Sequence, residues 1–157
     1  AYLQAGDDER ARAVAEQVAR TTALEAAALQ ATYGLAALPA GYALERRQWK
    51  EAAALTVPPT IVPWDKIPYA EANIHFARAV GAARSGNAAV ARDAIARLAA
   101  IRQTLLDQKN QYWADQVEIQ RLSGAAWRKH RLACGHMMAT DLNPGSLAAH
   151  SPEWLTG

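Results

Sequence analysis

The sequence predicts an all-α fold, an α–α superhelix of antiparallel helical hairpins, on three observations. One design recurs three times: an alanine-rich run, a tight polar break, then a second run with an alanine five residues beyond the break. Ala5-Gly6-Asp7 leads to Ala11, Arg46-Arg47-Gln48-Trp49 to Ala52, and Ser85-Gly86-Asn87 to Ala91. The break positions 6, 47 and 86 stand 41 and 39 residues apart, a period typical of stacked arrays. Alanine makes up about a quarter of the 157 residues and Phe occurs once, so helix propensity is high and small core groups require helices to approach closely. Such units cannot bury their apolar faces alone and must stack, which puts function on a surface shared by several of them.

Ala1-Tyr2-Leu3-Gln4 reads as the last turn of a helix, so the chain is expected to start inside a larger protein. Asp7-Asp8-Glu9 places three carboxylates at the start of the run Arg10 to Arg20, where the positive end of the helix dipole favours them. Ala11, Val14, Ala15 and Val18 form the apolar stripe of that helix. Thr21-Thr22 offers a cap for a helix over 23–37, with Leu24, Ala27, Ala28, Ala31 and Leu35 inward. Pro39 suits the first turn of a separate short helix that ends at Arg47, and Lys50 to Leu55 begins its partner.

Pro58, Pro59, Pro63 and Pro68 deny backbone donors and make 56–68 a loop. Its Ile61, Val62, Trp64 and Ile67 are expected to pack over a groove or a helix end. Helices resume over 69–84, with Phe76, Ala79, Val80 and Ala83 on one face. Asn87 caps the next, which carries Val90, Ala94, Ile95, Leu98, Ile101 and Leu105. A last helix runs from Asn110 to about Trp127, with Trp113, Val117, Gln120 and Ala125 amid charge. Residues 1–127 thus form one repeat domain with an irregular middle unit. Residues 128–157 read as an irregular tail, either a natural cap or a segment foreign to the repeat.

A net charge of +2 is too small for a nucleic-acid footprint, which needs clustered Lys and Arg. No apolar stretch reaches the ~20 residues of a membrane span. The single cysteine, Cys134, excludes an internal disulfide framework. That removes any reason to infer an oxidising compartment, and the cytoplasm is favoured without being fixed.

The three units resemble tetratricopeptide repeats, whose helix pair has a small residue at the turn, an acid or Asn after it, and alanine early in the second helix. Tyr2 matches that family's aromatic near the end of its first helix, and Trp49 stands where an aromatic follows the turn. The run Pro63-Trp64-Asp65-Lys66-Ile67-Pro68, with Glu71-Ala72 and Phe76-Ala77-Arg78-Ala79 after it, resembles uncharacterised bacterial tetratricopeptide-repeat proteins. The chain departs from the pattern in its spacing, in Arg47 where glycine is usual, and in Pro58, which cuts the second unit's partner helix short. Spacing near 40 also suits HEAT-like or armadillo-like arrays.

The resemblance implies a right-handed stack of about three hairpins, the first incomplete, in which first helices line a concave groove that binds a protein or peptide. Carried over by position, the groove set is Asn73, Phe76, Val80, Ala83 and Arg84 in the third unit and Leu44 and Glu45 in the second, with Tyr112 as a further recognition residue. An exposed first hairpin would allow self-association into a homo-oligomer. The alternative is a helical accessory segment of a larger enzyme or regulator with no ligand of its own.

Catalysis finds little to work with. Glycine-rich phosphate loops, nucleophile elbows and His-Glu-x-x-His are absent from the sequence, and Asp65 and Glu71 are not set on one helix face. His75 reads as core or groove lining. His130, Cys134, His136 and His150 are of zinc-ligating type but lack a matching second half, so a metal-dependent hydrolase is the least supported reading. No catalytic residue, metal or cofactor is expected.

Overall fold

The computed structural model describes residues 2–20, 29–58 and 63–141, the backbone alone at 19, 29–31 and 131–141. These residues form six helices and no strand: α1 (Asp8–Ala19), α2 (Leu29–Glu45), α3 (Trp49–Ala54), α4 (Pro68–Ser85), α5 (Ala88–Asp107) and α6 (Gln111–Asp141). The all-α expectation is met at that level.

Each predicted break closes with the same pair of backbone hydrogen bonds. Asp7 N–H donates to Tyr2 C=O and Gly6 N–H to Leu3 C=O; Gln48 and Arg47 do the same to Ala43 and Leu44, and Asn87 and Gly86 to Ala82 and Ala83. This is the Schellman motif, which satisfies carbonyls left over at a helix end and needs one residue with positive φ. Gly6 and Gly86 supply it at φ 74° and 86°, and Arg47 adopts it at 55°. The next residue opens the following helix. Asp7 and Asn87 accept from the backbone N–H of Arg10 and Val90 as N-caps, and their own carbonyls take the N–H of Ala11 and Ala91.

A fourth copy of this turn was not foreseen. Asn110 N–H donates to Leu105 C=O, Lys109 N–H to Leu106 C=O, and Lys109 has φ 56°. Ala114 then bonds Asn110 as Ala11 bonds Asp7. The alanine at this position is buried in all four copies, because a methyl group there lets the second helix close on its neighbour.

Helix α4 is the hub, touching α2, α3, α5 and α6. It is built for this: Ala70, Ala72, Ala77, Ala79 and Ala82 are fully buried, so backbones approach from several sides. A Cβ on Gly81 would lie 2.6 Å from Trp49 O and 2.7 Å from Ala53 N, which measures how closely α3 crosses it. Against α5, Ala82 and Ala83 meet Ala91 near the turn while Ala72 meets Leu98, Ile101 and Leu105, so the two helices run antiparallel as expected. Trp64 and Ile67 of the proline loop pack on Leu35 and Ala70, and Trp64 Nε1 donates to Pro58 C=O.

Two boundaries differ from expectation. Pro39 does not start a helix; it lies inside a continuous α2. Losing one backbone bond there costs about 3 kcal/mol in an isolated helix, and burial of Leu35, Ala36, Ala40 and Ala43 on either side offsets it. The predicted tail is likewise helical at first, since α6 continues past Trp127 to Asp141. No Gly or Pro interrupts 128–134 to stop it. The expected cap at Thr21-Thr22, the inward Leu24, Ala27 and Ala28, and Ile61 and Val62 lie outside the described residues, as do 142–157.

Candidate binding site

Helix α6 covers much of the α4 face that the repeat register assigned to a groove. The fourth turn folds it back along α5 and lays it parallel to α4. Gln120 donates to Asn73 Oδ1 at 3.2 Å, Gly124 seats against Ala79 with room for a Cβ only 3.0 Å away, and Trp127 covers Arg84. Val80 and Ala83 are buried, and Phe76 packs half-buried on the core around Ala72 and Leu98. Asn73 also donates to Ala70 C=O, and the Arg84 guanidinium lies between the rings of Trp49 and Trp127 at 4.6 and 4.5 Å. The expected groove residues on α4 thus lie along the contact with α6, Val80 and Ala83 buried and Asn73, Phe76 and Arg84 half-buried. The turn at Lys109-Asn110 is what brings α6 onto this face.

The remaining expected residues fall at separate places. Tyr112 is 66% exposed, its ring edge against Trp113, which stacks on Tyr69 at 4.2 Å and lies beside Tyr33. Glu45 sits at the far end of α2 from Tyr33, about 18 Å away at 1.5 Å per residue. It is exposed and Leu44 beside it is half-buried.

The buried polar cluster of the fold lies between α4 and α5. Glu71 Oε1 accepts from Arg97 Nε at 3.0 Å and Nη2 at 2.9 Å, and sits 3.0 Å from His75 Nε2. Burial pushes the Glu71 carboxyl up, but the hydrogen bonds and charges of His75 and Arg97 outweigh it and hold the pKa below the ordinary 4.5. A carboxylate so committed is a poor general base. The cluster ties α4 to α5, and His75 takes the core position expected of it.

An open cleft lies elsewhere, between α1, α2 and the turn at 2–6. Its volume is about 250 Å³. One wall is Ala11, Val14 and Ala15 of α1, the other Ala37, Leu38, Gly41 and Tyr42 of α2, and Tyr2, Leu3 and Gln4 close the end. Small residues facing one another across two helices leave the space: three alanines and Gly41 stand where larger groups would fill it. Leu38 and Tyr2 are each nearly half exposed at the rim. Arg46, just past the end of α2, pairs with Asp8 at the start of α1. Glu45 also borders the cleft and makes no ion pair among the described residues. An apolar slot with two phenol hydroxyls, an amide and one free carboxylate suits an apolar side chain whose neighbours carry hydrogen-bond donors or positive charge.

Of the binding residues expected from the sequence only Glu45 borders this cleft; Leu38, Gly41 and Tyr42, which also line it, were not among them. A detectable signal existed in Leu38-x-x-Gly41-Tyr42, large residues flanking a small one at helical spacing. The wrong helix start assigned to Pro39 obscured it. Among the described residues no three His, Cys, Asp or Glu side chains converge as a metal site, and no helix is long and apolar enough to cross a membrane. His130 stacks edge-on against Trp127, while the side chains of Cys134, His136 and His150 lie outside the description. Comparison of the chain with protein-family models, curated protein sequences and solved structures finds no match in any of the three.

Proposed function

We propose that this chain is a tetratricopeptide-like scaffold that binds an apolar segment of a protein or peptide in the cleft between α1 and α2, without chemistry of its own. The observation that carries this reading is the cleft itself: an open apolar slot of about 250 Å³ with a free carboxylate at its edge. Repetition of one turn geometry at Gly6, Arg47, Gly86 and Lys109 supports the repeat-family part of the proposal. A site set between two helices needs no segment to fold on binding, which limits the ordering cost of recognition.

Gly41 provides the test, because a Cβ built there meets nothing within 4 Å. Gly41→Leu fills the slot and removes a helix-interior glycine worth about 0.8–1 kcal/mol, so the variant stays folded. Panning a random-peptide display library on the immobilised chain should enrich apolar sequences with a flanking basic residue. Their affinity, read by fluorescence anisotropy, should fall at least tenfold on Gly41→Leu. Enriched peptides that bind wild type and Gly41→Leu alike would remove the proposal.

A further inference from the structure

Helix α6 presents outward a row of residues that the core does not bury. Tyr112, Asp115, Ile119, Leu122, Ala126 and Lys129 are all exposed, with Tyr112 at 66%, Ile119 at 58% and Leu122 at 53%. Their spacing is three, four, three, four, three, the a and d positions of a heptad. Single exposed aliphatics are ordinary; two large ones on the same heptad seam, with an aromatic at its head, form a stripe. The inward face is already satisfied, since Ala114, Val117 and Gly124 are buried in the core. Ile119 at an a position and Leu122 at a d position supply large aliphatic knobs at the middle of such a seam.

We infer that this stripe is an antiparallel self-association surface, on which α6 of a second copy of the chain docks. Charge selects both occupant and direction. The stripe is acidic near its start, where Asp115 is bonded only to neutral Gln111, and basic near its end, where Lys129 makes no ion pair among the described residues. An antiparallel copy centred between Ile119 and Leu122 sets Ile119 against Leu122 of its mate. Lys129 of the mate then lies beside Tyr112 and within one turn of Asp115. A parallel copy would set Asp115 against Asp115 and Lys129 against Lys129 and be repelled.

The seam spans about 27 Å at 1.5 Å per residue, under three heptads, so the association is weak and depends on concentration. It lies on α6, away from the α1–α2 cleft, and does not rest on the binding reading above. It also differs from association through the first hairpin.

Sedimentation velocity of the full chain, from low to high micromolar, tests it. The mean mass should rise from 16.9 kDa toward twice that value. Leu122→Asp should hold it at the monomer, with an unchanged far-ultraviolet spectrum because the side chain is exposed. Asp115→Lys and Lys129→Asp should each raise the dissociation constant about tenfold, and the double swap should restore it to within about threefold of wild type. A monomer at every concentration, whatever covers the stripe, would overturn the inference. So would a dimer that tolerates Leu122→Asp but is lost in Leu38→Glu at the cleft, or a double swap that stays monomeric.

Discussion

Replacing Gly81 with alanine probes the close crossing of α3 over α4. The new methyl would stand 2.6 Å from Trp49 O, 2.7 Å from Ala52 Cβ and 2.7 Å from Ala53 N. Two of these atoms are backbone, so no side chain can rotate away. Helix α3 would have to lift by the better part of an ångström, and overpacking of this kind costs about 1–3 kcal/mol or more. Against it stands the helix-propensity gain of Gly→Ala, about 0.8–1 kcal/mol. Because the overlap is with backbone, the upper part of the overpacking range applies, for a net loss of about 2 kcal/mol. That corresponds to a fall of roughly 4–8 °C in Tm for a chain of this length. Urea unfolding followed by far-ultraviolet circular dichroism measures it.

Gly124→Ala is the matched control, since its methyl would meet Ala79 Cβ at 3.0 Å and Ile95 Cγ1 at 3.6 Å. Ala79 Cβ is fixed to its backbone, so α6 and α4 must part slightly, but a few tenths of an ångström suffices. The helix gain then offsets the strain, and the variant should lie within about 1 kcal/mol of wild type. If Gly81→Ala were as stable as Gly124→Ala, close nesting of α3 on α4 would be refuted.

Arg47 and Lys109 hold positive φ without being glycine, so Arg47→Gly and Lys109→Gly should each stabilise by a few tenths to about 1 kcal/mol, the left-handed strain relieved less the flexibility added to the unfolded chain. Chemical denaturation should show a higher midpoint; a lower one would contradict the turn geometry. The Glu71 carboxyl is held below its ordinary 4.5, so its contribution is complete above that value and is lost as pH falls through the lower folded value. Stability of Glu71→Gln should accordingly fall less between pH 5 and about 3 than that of wild type, and parallel profiles would show the cluster to be inert. Arg84→Met keeps the stem but loses the charge between Trp49 and Trp127, at a cost of about 1–2 kcal/mol for two cation–π contacts. A shift in tryptophan emission should accompany that loss, and unchanged emission would argue against the stacked arrangement.

Much of the helical pattern was legible because the signals were local. Gly6-Asp7 and Gly86-Asn87 announce a left-handed residue followed by a cap, and alanine spacing after them marks where the next helix closes in. Lys109-Asn110 carries the same geometry without glycine, so a helix start was legible at Asn110 but the fold-back of α6 onto α4 was not. Pro39 misled for the opposite reason: local propensity favours a helix start, whereas the buried alanines around it hold one helix together. The site suffered from both errors. Which face of α4 remains open depends on α6, a contact far apart in sequence, and the cleft depends on Gly41 facing Ala11 and Ala15 from another helix. Periodicity within one helix does not report a gap between two.

The most direct test of where recognition occurs is amide chemical-shift mapping of the isotope-labelled chain titrated with a library-selected peptide. Shifts gathered at Leu3, Val14, Ala37, Gly41 and Glu45 are the predicted result. Shifts confined to the α4–α6 contact around Asn73, Val80 and Gly124 would contradict it.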